Sequence, residues 1–587
     1  MTTATTQTAK GGEWLVAAAD PATTMTRERV SDEHRLIEQT AAEFMDQEVL
    51  PALDRLEQKD WALNRELLKK CGGLGLLGTN VPDEYGGVEL DKVSTMIVSE
   101  QMARSASFAV TFGAQANLTV LPVYMFGTEA QKQRYLPGLV SGELVGAYCL
   151  SESGSGSDAL GAKARAVRQP DGSFVLSGEK MWITNGGFAD VYVVFAKVDG
   201  EHFTAFLVER AWPGVSSGKE EHKMGLHGSS TTPVILQDVT VPADAVLGAI
   251  GKGHKVAFNV LNFGRFKLGA MVLGGARQSV GDAARYATTR KQFGVAIATF
   301  GAIRHKLGEM TARTYALESL MYRTAGLIDQ RVAATGGSAT ATLQALEEFA
   351  VEASIAKVYG SETVDFVIDE ALQIFGGNGF VADYPIERRY RDARVNRIFE
   401  GTNEINRLLI PGMLMKRAVK GDLPLIAAAT ALQTEIIGPP AMHEDDGRLA
   451  AEARAATAFK KVVLLVAGVA MQRHGEQLQD EQEVLMHLAD LVIDAYVAES
   501  AVLRAQAAAG DADAALHAAA ATAVVHEAAG RVEQSARQAL AALADGDTLR
   551  VHLAALRRLL KLTPANLVIA RRLVADAAVT RGAYPFA

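Results

Sequence analysis

The texture of this chain changes twice, and that double change restricts the fold more than any other feature. From Ser31 to about Leu139, apolar residues recur at helical spacing, as in His34-Arg-Leu-Ile-Glu-Gln-Thr-Ala-Ala-Glu-Phe44, broken by Pro51 and Gly72-Gly73. At about Gly146 the pattern becomes short β-branched and aromatic runs. Examples are Ser173-Phe-Val-Leu176, Val191-Tyr-Val-Val-Phe195, Thr204-Ala-Phe-Leu-Val208 and Pro233-Val-Ile-Leu236, parted by Gly, Asp and Pro turns. From Lys255 to about Lys416 helical periodicity returns in long segments such as 305–328 and 345–359. Neither one sheet nor one bundle accommodates that order. The expectation is a mostly α protein with a central, compact antiparallel β domain.

With 587 residues the chain exceeds one hydrophobic core, at roughly 150 residues per domain. Predicted units are a loose leader (1–30), an N-terminal helical domain (31–145), the β domain (146–250), a second helical domain (251–420) and an additional helical domain (421–587). In the last, Ala, Leu, Val, Glu and Arg dominate, and Gly438-Pro-Pro-Ala-Met-His-Glu-Asp-Asp-Gly447 reads as a linker. A net charge of -9 gives no overall basic surface for nucleic acid. Two cysteines, Cys71 and Cys149, are too few for a disulfide framework or a four-ligand zinc site and suit a reducing, cytoplasmic setting. No metal site is expected. The first 26 residues lack a signal pattern, and the apolar run Val462–Met471 is about half of what a bilayer span needs, so no transmembrane helix is expected.

Five segments carry candidate chemistry. Gly146-Ala-Tyr-Cys-Leu-Ser-Glu-Ser-Gly-Ser-Gly-Ser-Asp158 runs a strand into a glycine- and hydroxyl-rich loop that admits an anion to its backbone N–H groups. By composition alone a flexible linker is the commoner reading, but its place between strands reverses that. Strands follow where a dinucleotide-binding βαβ unit needs a helix, so that fingerprint is rejected. Lys180-Met-Trp-Ile-Thr-Asn-Gly-Gly187 sets an indole and a hydroxyl at alternate strand positions, facing one side; a core tryptophan beside a turn is the plainer alternative. Arg290-Lys-Gln-Phe-Gly294 pairs a cation with an aromatic, and Gln373-Ile-Phe-Gly-Gly-Asn-Gly379 ends a helix in glycines. Both also fit ordinary surface and capping roles. In Arg388-Arg-Tyr-Arg-Asp-Ala-Arg-Val-Asn-Arg-Ile-Phe-Glu-Gly-Thr402 the arginines read as an ion-pair network. Glu400 stands apart, flanked by Phe399 and Gly401, where partly apolar surroundings would raise proton affinity toward that of a general base, although on local sequence alone a surface glutamate is the commoner reading. Thr402 is placed to cap a following helix.

In this order the five segments resemble the acyl-CoA dehydrogenase family of flavoproteins over about Ser31 to Met415. The added C-terminal region resembles its very-long-chain branch. The resemblance implies a barrel-like middle domain, a four-helix bundle after it, and FAD between the two. It implies that Tyr148, Leu150 and Ser151 line the flavin ring, that Gly156 and Ser157 approach the pyrophosphate, with Ser157 also toward substrate, and that Trp182 packs on the flavin beside Thr184. Arg290, Phe293, Gln373 and Gly377 would reach the FAD of a second copy, and Thr402 and Glu404 would complete the cofactor site. Glu400 is the implied catalytic base, with Asn262, Arg265, Phe399 and Gly401 toward an acyl-CoA substrate. Some branches place the base one residue before the matching arginine; here that residue is Gly264. Also implied are α,β-dehydrogenation of a long or very long fatty acyl-CoA to trans-2-enoyl-CoA in fatty acid β-oxidation, electron-transferring flavoprotein as partner, a homodimer, and peripheral membrane contact as an alternative to a buried helix for the segment 459–466. An oxidase, or a flavin-bearing binding protein, on the same scaffold are the competing expectations.

Overall fold

The computed structural model describes residues 9–439 and 447–586. Most of the linker expected at 438–447 and the first eight residues lie outside the described residues. The N-terminal helical domain contains α1 (Asp32–Phe44), α2 (Trp61–Gly73), α3 (Lys92–Met102), α4 (Ala106–Gln115) and α5 (Glu129–Ser141). Helix starts carry side-chain caps: Ser31 accepts the His34 N–H at 3.2 Å, and Thr128 accepts that of Gln131 at 3.3 Å.

The β domain follows as β1 (Gly146–Cys149), β2 (Arg165–Arg168), β3 (Phe174–Thr184), β4 (Val191–Val198), β5 (His202–Glu209), β6 (Val215–Ser217), β7 (Thr231–Val241) and β8 (Val246–Leu247). Pairing runs β6-β7-β3-β2-β4-β5-β8 as an open path, with β1 beside β4. The sheet is not wholly antiparallel as expected. β1 lies parallel to β4, Gly146 opposite Val191, and β2 also pairs parallel with β4, Arg165 opposite Lys197. Strand texture reports burial on two faces, whereas direction is decided by where distant connections deliver each strand.

The second helical domain is built on α6 (Gly253–Thr289), α7 (Gly301–Ala334), α8 (Ala350–Phe375) and α9 (Asn403–Val419), with the small hairpin β9 (Lys291–Gln292) and β10 (Val295–Ala296) after α6. The added domain contributes α10 (Leu425–Ile437), α11 (Ala450–His474), α12 (Gln482–Ala507), α13 (Ala514–Leu543), α14 (Gly546–Leu559) and α15 (Leu567–Arg581). One continuous apolar core joins α6–α8 to α11–α13, through residues such as Phe266, Tyr315, Val466 and Val497. Phe459, Val462, Val463 and Val466 of α11 are buried in that core.

The described part of the leader, residues 9–30, is not loose. Trp14 is buried, donates its indole N–H to Glu352 Oε1 at 3.0 Å, and packs 4.7 Å from the Tyr496 ring. Its Thr- and Ala-rich wording hid one anchoring aromatic. The helices are longer and more apolar than the run Val462–Met471 suggests. Ala106–Phe126, Gly253–Thr289 and Ala450–Asp480 are long and apolar enough to cross a membrane by length and composition. Interspersed small and polar residues break up the uninterrupted runs by which such spans are read. The fold buries 78%, 78% and 50% of their most apolar windows, respectively.

Candidate active site

Glu400 lies just before α9, and its backbone is the first thing the sequence has to hold. Glu400 and Gly401 take left-handed φ values of +57° and +77°. For the glutamate this costs on the order of 1–3 kcal/mol, which surrounding bonds must offset. Asn406, buried on the first turn of α9, donates its Nδ2 to the carbonyls of Glu400, Gly401 and Thr402 at 3.3, 2.8 and 3.0 Å. Arg265 of α6 adds Nε to the Glu400 carbonyl at 3.3 Å and is itself held by Asn262 Oδ1 at 3.0 Å. Thr402 caps α9, its hydroxyl accepting the Ile405 N–H at 3.2 Å. The Glu400 N–H has no hydrogen-bond acceptor among the described residues.

The Glu400 side chain turns onto α6 at Gly264. A Cβ at position 264 would lie 2.6 Å from Glu400 Oε2 and 2.9 Å from Cδ. Only glycine leaves room for this carboxyl. Oε2 is shielded from water and has no hydrogen-bond partner among the described residues. Burial pushes the Glu400 carboxyl up to about 7, while the nearby charges of Arg265 and Lys357 pull it back. Lys357 of α8 is brought down to about 8 by its own burial, with the Glu400 charge opposing. A buried carboxyl poised near neutrality is suited to general-base work.

Tyr148 of β1 packs edge-on against Phe195, with ring centroids 5.2 Å apart. Its hydroxyl is buried without a partner, and burial together with the Glu400 charge raises its pKa well above the phenolic range. Tyr148 therefore lies within range of the Glu400 charge. Leu150 is buried and Ser151 half-buried at the start of the glycine-rich loop. The loop turns tightly, Glu152 and Ser155 exchanging backbone hydrogen bonds of 3.1 Å. Beneath it the buried Lys180 ammonium donates to Glu152 Oε1 at 2.7 Å and to the Leu150 carbonyl at 3.2 Å. Gly154 and Gly156 face open space, and Ser157 is exposed.

Trp182 is 58% exposed with φ +60°, and the register of β3 on β7 slips between Lys180 and Ile183. This bulge turns the indole outward. Ile183 is buried and Thr184 half-buried, so Trp182 and Thr184 share the open side of the strand, as alternation predicts. The tryptophan is not a core residue. Asn185 anchors the strand end, donating to the Thr111 and Gly146 carbonyls at 3.1 and 3.2 Å.

Arg290, Phe293, Gln373 and Gly377 form a separate exposed group. The far ends of α6 and α8 meet where Tyr286 stacks 4.1 Å from Phe375 and its hydroxyl donates to the Phe375 carbonyl. Phe293, at the β9–β10 turn, is 93% exposed. The stretch from Arg265 to Arg290 follows α6 for about 37 Å at 1.5 Å per residue, so this group does not reach the Glu400 site of its own chain. Phe399, Gly401 and Asn262 are half-buried around Glu400, whereas Glu404 is exposed on α9. The neighbouring arginines make ion pairs, Arg389 with Asp282, Arg391 with Glu387 and Arg397 with Asp365.

Sequence reasoning missed Asn406 and Lys357. Asn406 stands four residues after the Thr402 cap, a spacing that returns a side chain to the helix start; Lys357 gave no local signal inside an apolar helix.

Comparison with known proteins places this architecture. Models described as acyl-CoA dehydrogenase N-terminal, middle and C-terminal domains match residues 31–143, 147–239 and 251–414, and another described as a C-terminal domain matches 458–558. The class is that of oxidoreductases with a helix, β, helix body and an added helical domain. A "Probable acyl-CoA dehydrogenase" of Bacillus subtilis (strain 168) is 46% identical over 571 residues, 96% of each chain. At that identity and coverage the protein belongs to the acyl-CoA dehydrogenase family. The crystal structure of an acyl-CoA dehydrogenase complexed with FAD from Bacillus anthracis superposes with TM-score 0.96 at 45% identity, covering 98% of this chain and all of that one. The very long-chain specific acyl-CoA dehydrogenase of Homo sapiens mitochondria is 40% identical over 370 residues, 61% of this chain and 53% of that protein.

Proposed function

We propose that this protein uses FAD to dehydrogenate long or very long fatty acyl-CoA to the trans-2-enoyl thioester, in fatty acid β-oxidation, with Glu400 as the base. The observation that carries this is the Glu400 carboxyl lodged against Gly264, withdrawn from water and poised near neutrality.

The residues present fit a flavin. Tyr148 keeps a buried hydroxyl without a partner, Gly154 and Gly156 leave their backbone open to an anion, and Trp182 is held outward by its bulge. Tyr148, Leu150, Ser151, Trp182 and Thr184 would hold its ring; Gly156 and Ser157 its pyrophosphate; Thr402 and Glu404 the end beside α9. When bound, FAD supplies the acceptor for the hydride that leaves the β-carbon. Glu400 removes the α-proton. Its own N–H, unused in the fold, is free to stabilise charge developing on the thioester oxygen. Arg265 and Asn406 keep that N–H and the carboxyl in place through the Glu400 carbonyl. Asn262 lies toward the CoA moiety, and Phe399 and Gly401 flank the acyl chain.

Arg290, Phe293, Gln373 and Gly377 serve the FAD of a second copy, making the protein a homodimer; their exposure and their distance from Glu400 support this. Electrons pass to electron-transferring flavoprotein. The protein works in the cytoplasm, and the inward-facing 459–466 segment gives no support to a membrane contact.

Anaerobic titration of the flavin-loaded protein with saturated acyl-CoAs of increasing chain length should bleach the flavin, most readily with long chains. No bleaching at any length refutes the proposed activity. Glu400→Gln should keep ligand binding and lose about 10³-fold or more in the rate of bleaching, within the range expected for a general base acting with its own binding interactions.

A further inference from the structure

Three elements bring titratable groups whose charge bears on Glu400: Arg265 on α6, bonded to its carbonyl, Lys357 on α8, bonded to Asn403 three residues further on, and Tyr148 on β1. Arg265 and Tyr148 belong to the site already described. Lys357 is set apart from both by its surroundings. The side chain is buried at 0% exposure, and its ammonium donates to Asn403 Oδ1 at 2.7 Å, the first residue of α9. Among the described residues no carboxylate lies within ion-pair distance of it. The charges around it are Glu400, Arg265, Glu404 and Glu362.

Asn403 is fixed from its other end. Its Nδ2 donates to Glu362 Oε1 at 3.0 Å, and Ser361 joins it at 3.1 Å. Glu362 is gripped by Arg407 through two bonds of 2.7 and 3.0 Å, and Arg407 Nε reaches Asp490 Oδ1 of α12 at 2.7 Å. The ammonium thus ends a chain of hydrogen bonds that starts in the added domain. Burying a lysine without a carboxylate partner is costly, and a methionine of similar length would avoid that cost.

We infer that Lys357 is a positioning residue for the base: held on Asn403, it keeps a positive charge near Glu400 and so sets the pH at which the carboxyl is ionised. The inference rests on Glu400 as the base. It gives Asn403 a role beyond helix capping, as the seat of the ammonium. The direction follows from charge: Lys357 favours ionised Glu400, so its removal leaves burial less opposed and the carboxyl ionises at higher pH.

The test is a titration of the Glu400 carboxylic C=O band by infrared difference spectroscopy on the flavin-loaded protein, with Glu400→Gln identifying the band. In parallel, the pH dependence of flavin bleaching by acyl-CoA is recorded. Lys357→Met should move both midpoints alkaline by about one pH unit, the size of effect a nearby opposite charge commonly has. Lys357→Arg should keep them near the wild-type value. Asn403→Ala, which releases the ammonium without deleting it, should shift them in the same alkaline direction and serves if the Met variant does not fold. Unchanged midpoints in folded Lys357→Met or Asn403→Ala overturn the inference, as does an Arg variant that shifts as far as Met. Full bleaching rates in Glu400→Gln instead refute the base assignment on which it rests, and the two failures are separately visible.

Discussion

Gly264→Ala is the smallest change that tests the site. The added Cβ would sit 2.6 Å from Glu400 Oε2, where ordinary contact begins near 3.4 Å, so the carboxyl must retreat by roughly 0.8 Å. The retreat is opposed: Glu400 is pinned through its carbonyl by Arg265 and Asn406, at 3.3 Å each. A displacement of about 1 Å at a reacting group costs on the order of 10²-fold in rate. Stability moves the other way, because alanine inside a helix is better than glycine by about 1 kcal/mol, which offsets part of the overpacking cost of about 1–3 kcal/mol. The expected result is therefore a protein that melts within a few degrees of the wild type but bleaches its flavin about 100-fold more slowly with a long-chain acyl-CoA. Stopped-flow absorbance under anaerobic conditions reads the rate, and circular dichroism the melting. A variant with wild-type rate and stability would show that the carboxyl does not need the space over Gly264, and the site geometry would be wrong.

Two further outcomes follow from the same coordinates. Glu400 must be ionised to take a proton, and burial raises its carboxyl to about 7, so the bleaching rate should climb through about pH 7 and level off above it; a flat profile from pH 5 to 9 would contradict this. The sign for stability is opposite, since a raised carboxyl contributes stability that is present below its unfolded value near 4.5 and lost as pH rises through about 7. Trp14→Ala should lower the apparent melting temperature, because it empties a buried aromatic site worth about 3–5 kcal/mol and leaves Glu352, also buried, short of one donor. An unchanged melting curve would show that the N-terminal segment is dispensable.

Much of the site was legible because its chemistry is local in sequence. Phe399-Glu400-Gly401-Thr402 carries the base, the left-handed pair and the helix cap within four residues, and Gly264 is recognisable as a missing side chain. Trp182 and Thr184 were paired by alternation; Trp182 lies within the slip between Lys180 and Ile183, so its outward indole is set by the bulge, while Ile183 and Thr184 keep the strand register. What was not legible depends on contacts between distant segments. Lys357 sits in an apolar helix where any long side chain would read as core or surface, and only the approach of Asn403 shows where its ammonium goes. The parallel pairings of β1 and β2 with β4 are set by chain connections across the domain, to which strand composition is blind. Trp14 was lost among threonines and alanines because one aromatic has no periodicity; its partner Glu352 lies 338 residues away.

The bond from Arg407 to Asp490 makes the last domain part of the enzyme's working frame rather than an appendage. Arg407 stands one turn beyond the cap of α9 and splits its guanidinium between Glu362 of the body and Asp490 of α12. A version shortened at residue 420 would keep every residue of the catalytic segment yet leave this guanidinium with a single carboxylate and expose the apolar faces of α7 and α9. Anyone trimming the protein to its catalytic body would have to supply a substitute wall carrying an acid opposite Arg407. Grafting the domain onto a shorter relative would in turn require an arginine at that turn to receive it.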